Sequence, residues 1–295
     1  MGIYLSSPDT KKLPVDGENG ICRYGANSMQ GWRMNMEDAH ISNGELDSDA
    51  SLFAVFDGHG GAEVAKFCSK NFGRELKNLA EYKEGKYEAA LKRCFLLMDE
   101  QLVTPDGQKQ LRALAEKDTS ESNAGCTANV ILIKDKKIYI ANAGDSRSLL
   151  YKNGKVTRLS EDHKPDNEIE RQRISNAGGF IIDGRVNGNL NLSRAIGDLE
   201  YKKNPKLKPE EQLISAMPDV KVIPMEGDDT YILMGCDGVW EILSDDEICK
   251  FVKDRLASER TISTVLGELL DKCLAPDTTQ GVGCDNMSAV LIKFK

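Results

Sequence analysis

Acidic residues stand at the ends of apolar runs in this chain, and this pattern limits how it can fold. Asp57 follows SLFAVF, Asp237 follows YILMGC, Asp285 lies just before MSAVLI, and Glu37 and Asp38 precede a shorter run. A carboxylate at the end of a buried strand is unfavourable unless a positive group compensates its charge. One Asp-Gly is most often only a turn. Several such strand ends together predict a site for cations.

The kind of cation follows from the donor atoms. Carboxylate oxygens suit the hard ions Mg²⁺ and Mn²⁺. Three histidines, and eight cysteines without a CxxC pair, offer little to a zinc ion. With no secretory leader in the sequence, the cysteines are expected to be reduced thiols in a cytoplasmic protein.

Length and charge narrow the class of protein. A chain of 295 residues that is 40% hydrophobic can form one large layered domain or two ordinary ones. The net charge of −8 and the scattered basic residues argue against binding to nucleic acid. The longest apolar stretches are far shorter than the ~18 residues that cross a bilayer. Without a heptad seam, we expect a monomer.

The amino terminus carries a separate signal. MGIYLS matches the pattern for N-myristoylation, with Gly2 as the acceptor and Ser6 as the favoured hydroxyl. One acyl chain binds membranes weakly and reversibly, so peripheral membrane association is expected if Gly2 is acylated. Residues 1–19 are interpreted as an extension that precedes a single domain, 20–295.

Period-2 apolar runs and helical spacings predict the elements. Asn153-Gly154 between two apolar runs indicates a β-hairpin, Ser244 before three acids indicates a helix N-cap, and the polar stretches 104–123 and 202–213 are interpreted as surface loops. The expected strands are 21–28, 37–42, 51–57, 124–134, 137–143, 146–151, 155–159, 179–183, 219–225, 229–236 and 286–294. The expected helices are 61–80, 86–102, 165–177, 244–257 and 261–274.

This element order predicts an α+β fold. Helices should cover both outer faces of two mainly antiparallel sheets that pack face to face, as a four-layer α-β-β-α sandwich. Gly58, with two further glycines close behind it, lets the backbone approach a ligand, so that its carbonyl is itself a candidate ligand. Asp145 and Asp198 also end strands, which raises the alternative of a third metal, although each alone is more commonly a turn residue.

Eight runs in order resemble the type 2C metal-dependent Ser/Thr protein phosphatases. The resemblance extends from about residue 20 to residue 295 and implies a β-sandwich with a binuclear Mn²⁺/Mg²⁺ centre between its sheets. The runs are YGANSMQGWRMNMEDAH, FAVFDGHGG, GCTANVILI, IYIANAGDSR, LSEDHKPDNEIERQRISNAGG, RVNGNLNLSRAIGD, YILMGCDGVWEIL and CDNMSAVLI.

The resemblance also implies a role for individual residues. Asp57 would bridge the two metals, Asp237 and Asp285 would hold the first, and Glu37 with the Gly58 carbonyl would hold the second. The resemblance implies three more roles: Asp38 orients metal-bound waters from behind the ligands, Arg33 binds phosphate, and His59 is the general acid.

Other positions are less settled. Many relatives have Trp-Asp where this chain has Trp240-Glu241, so a third metal held by Asp145 and Glu241 is an open alternative. Arg185, in the segment that forms a flap in the family, is a candidate substrate contact. His40 and His163 are expected to be ordinary structural histidines.

The implied reaction is hydrolysis of phosphoserine and phosphothreonine in proteins. A hydroxide shared by two Mn²⁺ or Mg²⁺ ions attacks phosphorus in line, while His59 protonates the leaving alkoxide. Cys68, Cys94 and Cys273 lie in helical patterns and not in the Cys-x5-Arg loop of the thiol phosphatases, which argues against a thiolate mechanism. Two alternatives remain at this stage. One is an inactive relative that serves as a binding module, and the other is a metal-dependent phosphodiesterase or nuclease.

Overall fold

The structure is a computed structural model that describes residues 4–115, 123–225, 230–258 and 260–295. Gly2, the predicted acylation site, lies outside the described residues. The strands are β1 (Tyr4–Asp9), β2 (Val15–Glu18), β3 (Cys22–Met29), β4 (Gly31–Arg33), β5 (Ala39–Asp47), β6 (Ala50–Phe56), β7 (Gly58–His59), β8 (Gly125–Cys126), β9 (Ala128–Lys134), β10 (Lys137–Ala143), β11 (Arg147–Lys152), β12 (Lys155–Arg158), β13 (Ile181–Ile182), β14 (Arg185–Val186), β15 (Ile196–Gly197), β16 (Asp219–Pro224), β17 (Thr230–Gly235) and β18 (Met287–Phe294). The helices are α1 (Glu63–Asn78), α2 (Ala80–Lys83), α3 (Tyr87–Leu102), α4 (Pro105–Leu114), α5 (Glu168–Asn176), α6 (Asp237–Trp240), α7 (Asp245–Leu256) and α8 (Ile262–Cys273).

Two antiparallel sheets form the centre of the fold. One has the strand order β16-β10-β9-β6-β5 and the other has the order β12-β11-β17-β18-β3-β2. Helices α1 and α3 pack on the outer face of the five-stranded sheet, and α7 and α8 cover the six-stranded sheet. The predicted four-layer α-β-β-α sandwich is therefore confirmed.

Strand β6 is continuously apolar from Leu52 to Phe56. Phe53 and Val55 face the core between the sheets, whereas Leu52, Ala54 and Phe56 face the helices α1 and α3. Successive side chains of a strand point to opposite faces, so a stretch that is covered on both faces favours apolar residues at every position. Burial of each large side chain contributes about 1.5–3 kcal/mol, and this packing fixes the strand end from which Asp57 follows.

Two local predictions are confirmed in detail. Strands β11 and β12 form a hairpin in which Asn153 and Gly154 have φ angles of 51° and 81°, as a type I′ turn requires. At the start of α7, the Ser244 Oγ accepts a hydrogen bond from the Glu247 N–H. The Glu247 carboxylate accepts one from the Ser244 N–H in return, which completes a capping box.

The surface-loop prediction for 104–123 was wrong over its first half, where α4 forms. The Thr104 Oγ1 accepts a hydrogen bond from the Gly107 N–H, and Pro105 occupies the first helical position. Only Gly107 and Leu111 of this helix are buried, so most of its residues face solvent, and most of these are polar. Polarity alone therefore gave the wrong element.

The predicted strand 124–134 is divided in two. Gly125–Cys126 leaves the five-stranded sheet and pairs with β7 on one side and β15 on the other, while Ala128–Lys134 continues as predicted. The extra three-stranded sheet β15-β8-β7 lies beside the strand end that carries Asp57.

Residues 4–18, which we expected to precede the domain, supply two of its strands. Strand β1 pairs with β4, and β2 pairs with β3 at the edge of the six-stranded sheet. The Lys12 ammonium also contacts Asp271 on α8 at 2.5 Å. Among the described residues, no helix is both long and apolar enough to cross a membrane.

Candidate metal centre

A cavity of about 390 Å³ opens where strands of both sheets end, and we call it the acidic cavity. Asp57 follows β6 of the five-stranded sheet, Asp237 follows β17 of the six-stranded sheet, and Asp285 lies two residues before β18. The predicted convergence of these strand ends is therefore present. The acidic cavity is lined by Arg33, Met34, Asn35, Glu37, Asp57, Gly58, His59, Gly60, Thr127, Asp145, Asn191, Leu192, Asp237, Asp285 and Asn286.

Carboxylate oxygens meet in two overlapping groups. In one, oxygens of Asp57, Asp145 and Asp237 lie within 4.8 Å of one another. In the other, oxygens of Asp237, Glu241 and Asp285 do so. Asp237 belongs to both groups, so its carboxylate is central to the site.

The negative charges of these carboxylates repel one another in the metal-free protein. Burial raises the pKa of Asp57 well above its ordinary value, and the negative charge of Asp237 raises it further. Burial, followed by the charges of Asp145 and Asp285, raises the pKa of Asp237 to about 8. A divalent cation would remove this repulsion, and the all-oxygen donor set fits Mg²⁺ or Mn²⁺.

Asp38 lies directly behind this cluster. It is buried, and neither of its carboxylate oxygens makes a hydrogen bond of standard geometry with the described residues, although Ser288 and Cys236 lie close enough to lower its pKa. Burial, followed by the charge of Asp285, raises its pKa to about 7. Buried polar atoms are almost always satisfied, so these oxygens fit the predicted contact with metal-bound water.

Glu37 reaches the cavity because Gly58 lets the two backbones touch. A Cβ atom at Gly58 would lie 2.2 Å from the Glu37 carbonyl oxygen, so any other residue would push the two segments apart. Both residues line the cavity, as predicted for ligands of the second metal.

Asn286 and Thr127 have roles that sequence reasoning missed. The Asn286 Oδ1 accepts from the Glu37 N–H at 2.9 Å, and its Nδ2 donates to the carbonyls of Gln30 and Asn35. Thr127 Oγ1 accepts from the Asp57 N–H at 3.2 Å. Asn286 could have been found from the sequence, because it is a polar residue that directly follows Asp285 at the same strand end.

The two predicted catalytic side chains lie on the cavity wall. Arg33 is half exposed, and its Nη2 contacts the Asp285 Oδ2 at 2.5 Å. The His59 Nε2 lies 2.7 Å from the Asp198 Oδ2. Asp198, which we had considered for a third metal, therefore pairs with His59 instead of joining Asp145.

Comparison with known proteins agrees with this geometry. The family model described as "Protein phosphatase 2C" matches residues 22–282. The chain belongs to the protein phosphatase 2C family. Two Paramecium tetraurelia proteins, "Probable protein phosphatase 2C 5" and "Probable protein phosphatase 2C 3", are 52% and 54% identical to it, with full coverage of both chains in each case.

The fold of this protein phosphatase 2C chain also matches solved structures. A crystal structure of a phosphatase from a pathogenic strain of Toxoplasma gondii is 26% identical, with a TM-score of 0.78 and 96% of each chain covered. The predicted family, fold and enzyme class are confirmed. Dependence on metal is a property of the family, and the clustered acids of this chain agree with it.

The residues considered for a third metal do not form one group in this family member. Asp145 and Glu241 each lie near Asp237, but in different groups of three. The Lys164 ammonium forms an ion pair with Asp145, and the Glu241 Oε2 accepts from the Gly283 N–H at 2.6 Å. Both carboxylates therefore already have partners within the protein.

Asn191 and Leu192, a few residues after Arg185, line the cavity. Arg185 is not among the lining residues, and its Nη1 donates to the Asn189 carbonyl at 2.8 Å. His163 is buried, accepts from the Gly144 N–H and contacts Asp219, which agrees with a structural role.

The cysteines do not offer a nucleophile. All eight are buried and free of disulfides. Burial raises the thiol pKa of Cys94, Cys126 and Cys236 well above its ordinary value. A thiolate is the reactive form of cysteine, so these side chains are poorly suited to attack phosphorus.

Proposed function

We propose that this chain hydrolyses phosphoserine and phosphothreonine in proteins, with two Mg²⁺ or Mn²⁺ ions held in the acidic cavity. The observation that supports this most strongly is the meeting of carboxylates from both sheets beside one arginine and one histidine. Membership of the protein phosphatase 2C family supports the same reaction class.

The residues that would hold the ions are those predicted from the sequence. Asp57, Asp237 and Asp285 would supply carboxylates for one ion, and Asp57, Glu37 and the Gly58 carbonyl would supply oxygens for the other. When bound, the ions make hydroxide available from water near neutral pH and neutralise charge on the phosphoryl oxygens.

Arg33 is positioned to bind the phosphoryl group. Its planar guanidinium can donate two parallel hydrogen bonds to phosphate oxygens, and the contact with Asp285 holds that plane at the cavity wall. Its partial exposure leaves the remaining donors accessible to a substrate.

His59 is positioned to act as the general acid. It lines the cavity, and about a quarter of its side chain is exposed. Breaking the P–O bond leaves a strongly basic serine or threonine alkoxide, so donation of a proton from the imidazole favours its departure.

The charges near the cavity favour a phosphomonoester over a nucleic acid. Among the described residues that line it, Arg33 is the one lysine or arginine. A nuclease needs a longer basic track to hold the phosphates on either side of the scissile one. The net charge of −8 points the same way.

The test is release of phosphate from a phosphothreonine peptide by the purified chain with Mn²⁺. We expect turnover that EDTA abolishes and that Asp237→Asn or Asp57→Asn lowers by roughly 10³-fold, which corresponds to the several kcal/mol that a metal ion contributes. The nuclease alternative is tested by measuring cleavage of single-stranded DNA under the same conditions. Binding of the phosphopeptide without release of phosphate would support the inactive binding module instead.

A further inference from the structure

The pairing of His59 with Asp198 is built into the fold on the inner side of the acidic cavity. The His59 Nε2 lies 2.7 Å from the Asp198 Oδ2, and the Asp198 side chain is only 4% exposed. Asp198 is not among the residues that line the cavity, whereas His59 is. The carboxylate therefore contacts the imidazole from behind.

The small sheet β15-β8-β7 fixes the two side chains. His59 belongs to β7, Asp198 directly follows β15, and Gly125 of the central strand β8 pairs with both His59 and Gly197. A Cβ atom at Gly125 would lie 2.2 Å from the Asp198 Oδ2 and 2.6 Å from the His59 Nε2. Only glycine leaves room for this contact.

The backbone around Asp198 is held from several directions. Asp198 has a φ angle of 49° and donates its N–H to the Ala124 carbonyl at 3.2 Å. The Asp99 carboxylate accepts from the Gly197 N–H at 2.7 Å and from the Lys202 ammonium at 2.6 Å. A left-handed conformation is unfavourable for most residues other than glycine and persists where surrounding contacts impose it.

These contacts determine which nitrogen of His59 is available. An imidazole whose Nε2 is bound by a buried carboxylate keeps its proton on that nitrogen. Since His59 lines the acidic cavity and its Nε2 is taken by Asp198, Nδ1 is the ring nitrogen left to face a bound substrate.

We propose that Asp198 is a positioning residue that holds His59 with the Nε2–H directed inward and Nδ1 presented to the leaving oxygen of the substrate. This inference rests on the proposed phosphatase reaction. In that reaction a bond forms between water oxygen and phosphorus, and the bond from phosphorus to the serine or threonine oxygen breaks. The leaving oxygen takes the Nδ1 proton, the electron pair of that N–H bond stays on nitrogen, and His59 later regains a proton from solvent.

The test compares two leaving groups in Asp198→Asn and Asp198→Ala. A phosphothreonine peptide has a basic leaving group that needs a proton, whereas p-nitrophenyl phosphate has one that does not. General acids contribute typically ~10²–10⁴-fold. We expect kcat for the peptide to fall about 10–100-fold and kcat for the aryl ester to fall less than about threefold, with the smaller peptide loss in Asn, whose amide oxygen can still accept from Nε2–H.

A double variant separates a role through His59 from a general structural one. Residues that act as a unit are not additive, so His59→Ala with Asp198→Asn should lose no more activity on the peptide than His59→Ala alone. If Asp198→Ala fails to fold, the nearly isosteric Asp198→Asn carries the test. Mn²⁺ affinity, measured by calorimetry, should stay within about twofold of wild type.

The chain offers a matched control in its other histidine–aspartate pair. His163 Nε2 lies 3.1 Å from the Asp219 Oδ2, but neither residue lines the acidic cavity. Asp219→Asn should change both substrates by the same factor. Asp99→Asn, which loosens the segment before Asp198 without touching His59, serves as a second control for local disorder.

Two results would overturn the inference. One is an equal loss on both substrates in Asp198→Asn, and the other is a double variant whose loss is the product of the single losses. Failure of the wild-type chain to release phosphate from either substrate would instead overturn the proposed function. Equal losses on both substrates in His59→Ala would remove the general acid itself, and the positioning role would fall with it.

Discussion

Asp237 shows, at the scale of a single residue, that a proposed metal-binding position can destabilise the metal-free fold. Its pKa is about 8 in the metal-free fold because burial and two neighbouring carboxylates disfavour the charged form. An unfolded aspartate has a pKa of about 3.9. The folded state therefore binds this proton more tightly, and the stability of the metal-free protein should fall as pH rises from about 4 to about 8.

The first prediction follows from this expected fall in stability with rising pH. Asp237→Asn removes the titrating group, so the decline of Tm between pH 5 and pH 8, measured in EDTA, should become shallower. At pH 8 the variant should be more stable than the wild type, although it has lost activity. Asp254→Asn, at an exposed acid on α7, is the control. An unchanged slope in Asp237→Asn would contradict the electrostatic account.

The second prediction concerns Asn286, whose side chain connects the start of β18 to the segment that carries Glu37. Asn286→Ala removes three hydrogen bonds at roughly 0.5–1.5 kcal/mol each, so urea denaturation should show a loss of about 2–4 kcal/mol. Mn²⁺ affinity should fall roughly 10–100-fold, as is usual when ligands lose their supports. Asn43→Ala, at an exposed position of β5 where the side chain accepts from the nearby Glu45 N–H, is the control. Unchanged Mn²⁺ affinity in Asn286→Ala would argue against this support.

The sequence predicted which residues end strands but not which strand ends touch. Asp57, Asp237 and Asp285 could be grouped because each follows or precedes a strongly apolar run. Asp198 also ends a strand, but its partner depends on the pairing of β15 with β8, two-residue strands that leave no periodic signal. Sequence reasoning therefore found an acid here and gave it the wrong neighbour.

At the scale of elements, predictability followed the strength of the local signal. Strand β6 and the hairpin at Asn153-Gly154 were predictable because burial on both faces and turn chemistry leave clear patterns. Helix α4 was not predicted, because it has only two buried residues and its sequence therefore lacks a clear apolar periodicity. Strand β1 was missed because it pairs with β4, a three-residue strand, and the register of the pairing shifts between Tyr4 and Asp9.

The third prediction tests the capping box of α7. Ser244→Ala removes the acceptor for the Glu247 N–H and should lower the free energy of unfolding by about 1 kcal/mol. Thr261→Ala, which removes the equivalent cap of α8, should lower it by a similar amount. Both variants should keep wild-type kcat on the phosphopeptide, and urea titration with a parallel activity assay is the measurement. A large loss of activity in Ser244→Ala would show that α7 affects the site.

At the scale of the whole molecule, a bound ion would join the two sheets. Asp57 comes from one sheet, and Asp237 and Asp285 come from the other. Ligands that bind only the folded state stabilise it, by about 2.7 kcal/mol at a concentration 100 times Kd.

The fourth prediction is that Mn²⁺ raises the Tm of the whole domain in one cooperative transition. Asp57→Asn should abolish this Mn²⁺-dependent shift. Lys12→Ala breaks a surface contact between the amino-terminal segment and α8, so it should lower Tm slightly but leave the Mn²⁺-dependent shift unchanged. Calorimetry with and without Mn²⁺ is the measurement. Two separate transitions would show that the sheets unfold independently.

The position of β18 has a consequence for how the protein is made. This strand lies between β17 and β3 in the six-stranded sheet, yet it is far from β3 in sequence. At about 5–20 residues per second, a ribosome reaches β18 roughly 10–50 s after it has completed β3. Until then β3 has a free edge, and Asp285 has not yet been added to the chain. The nascent polypeptide should therefore need protection from aggregation, and the acidic cavity cannot be complete before β18 pairs with β17 and β3.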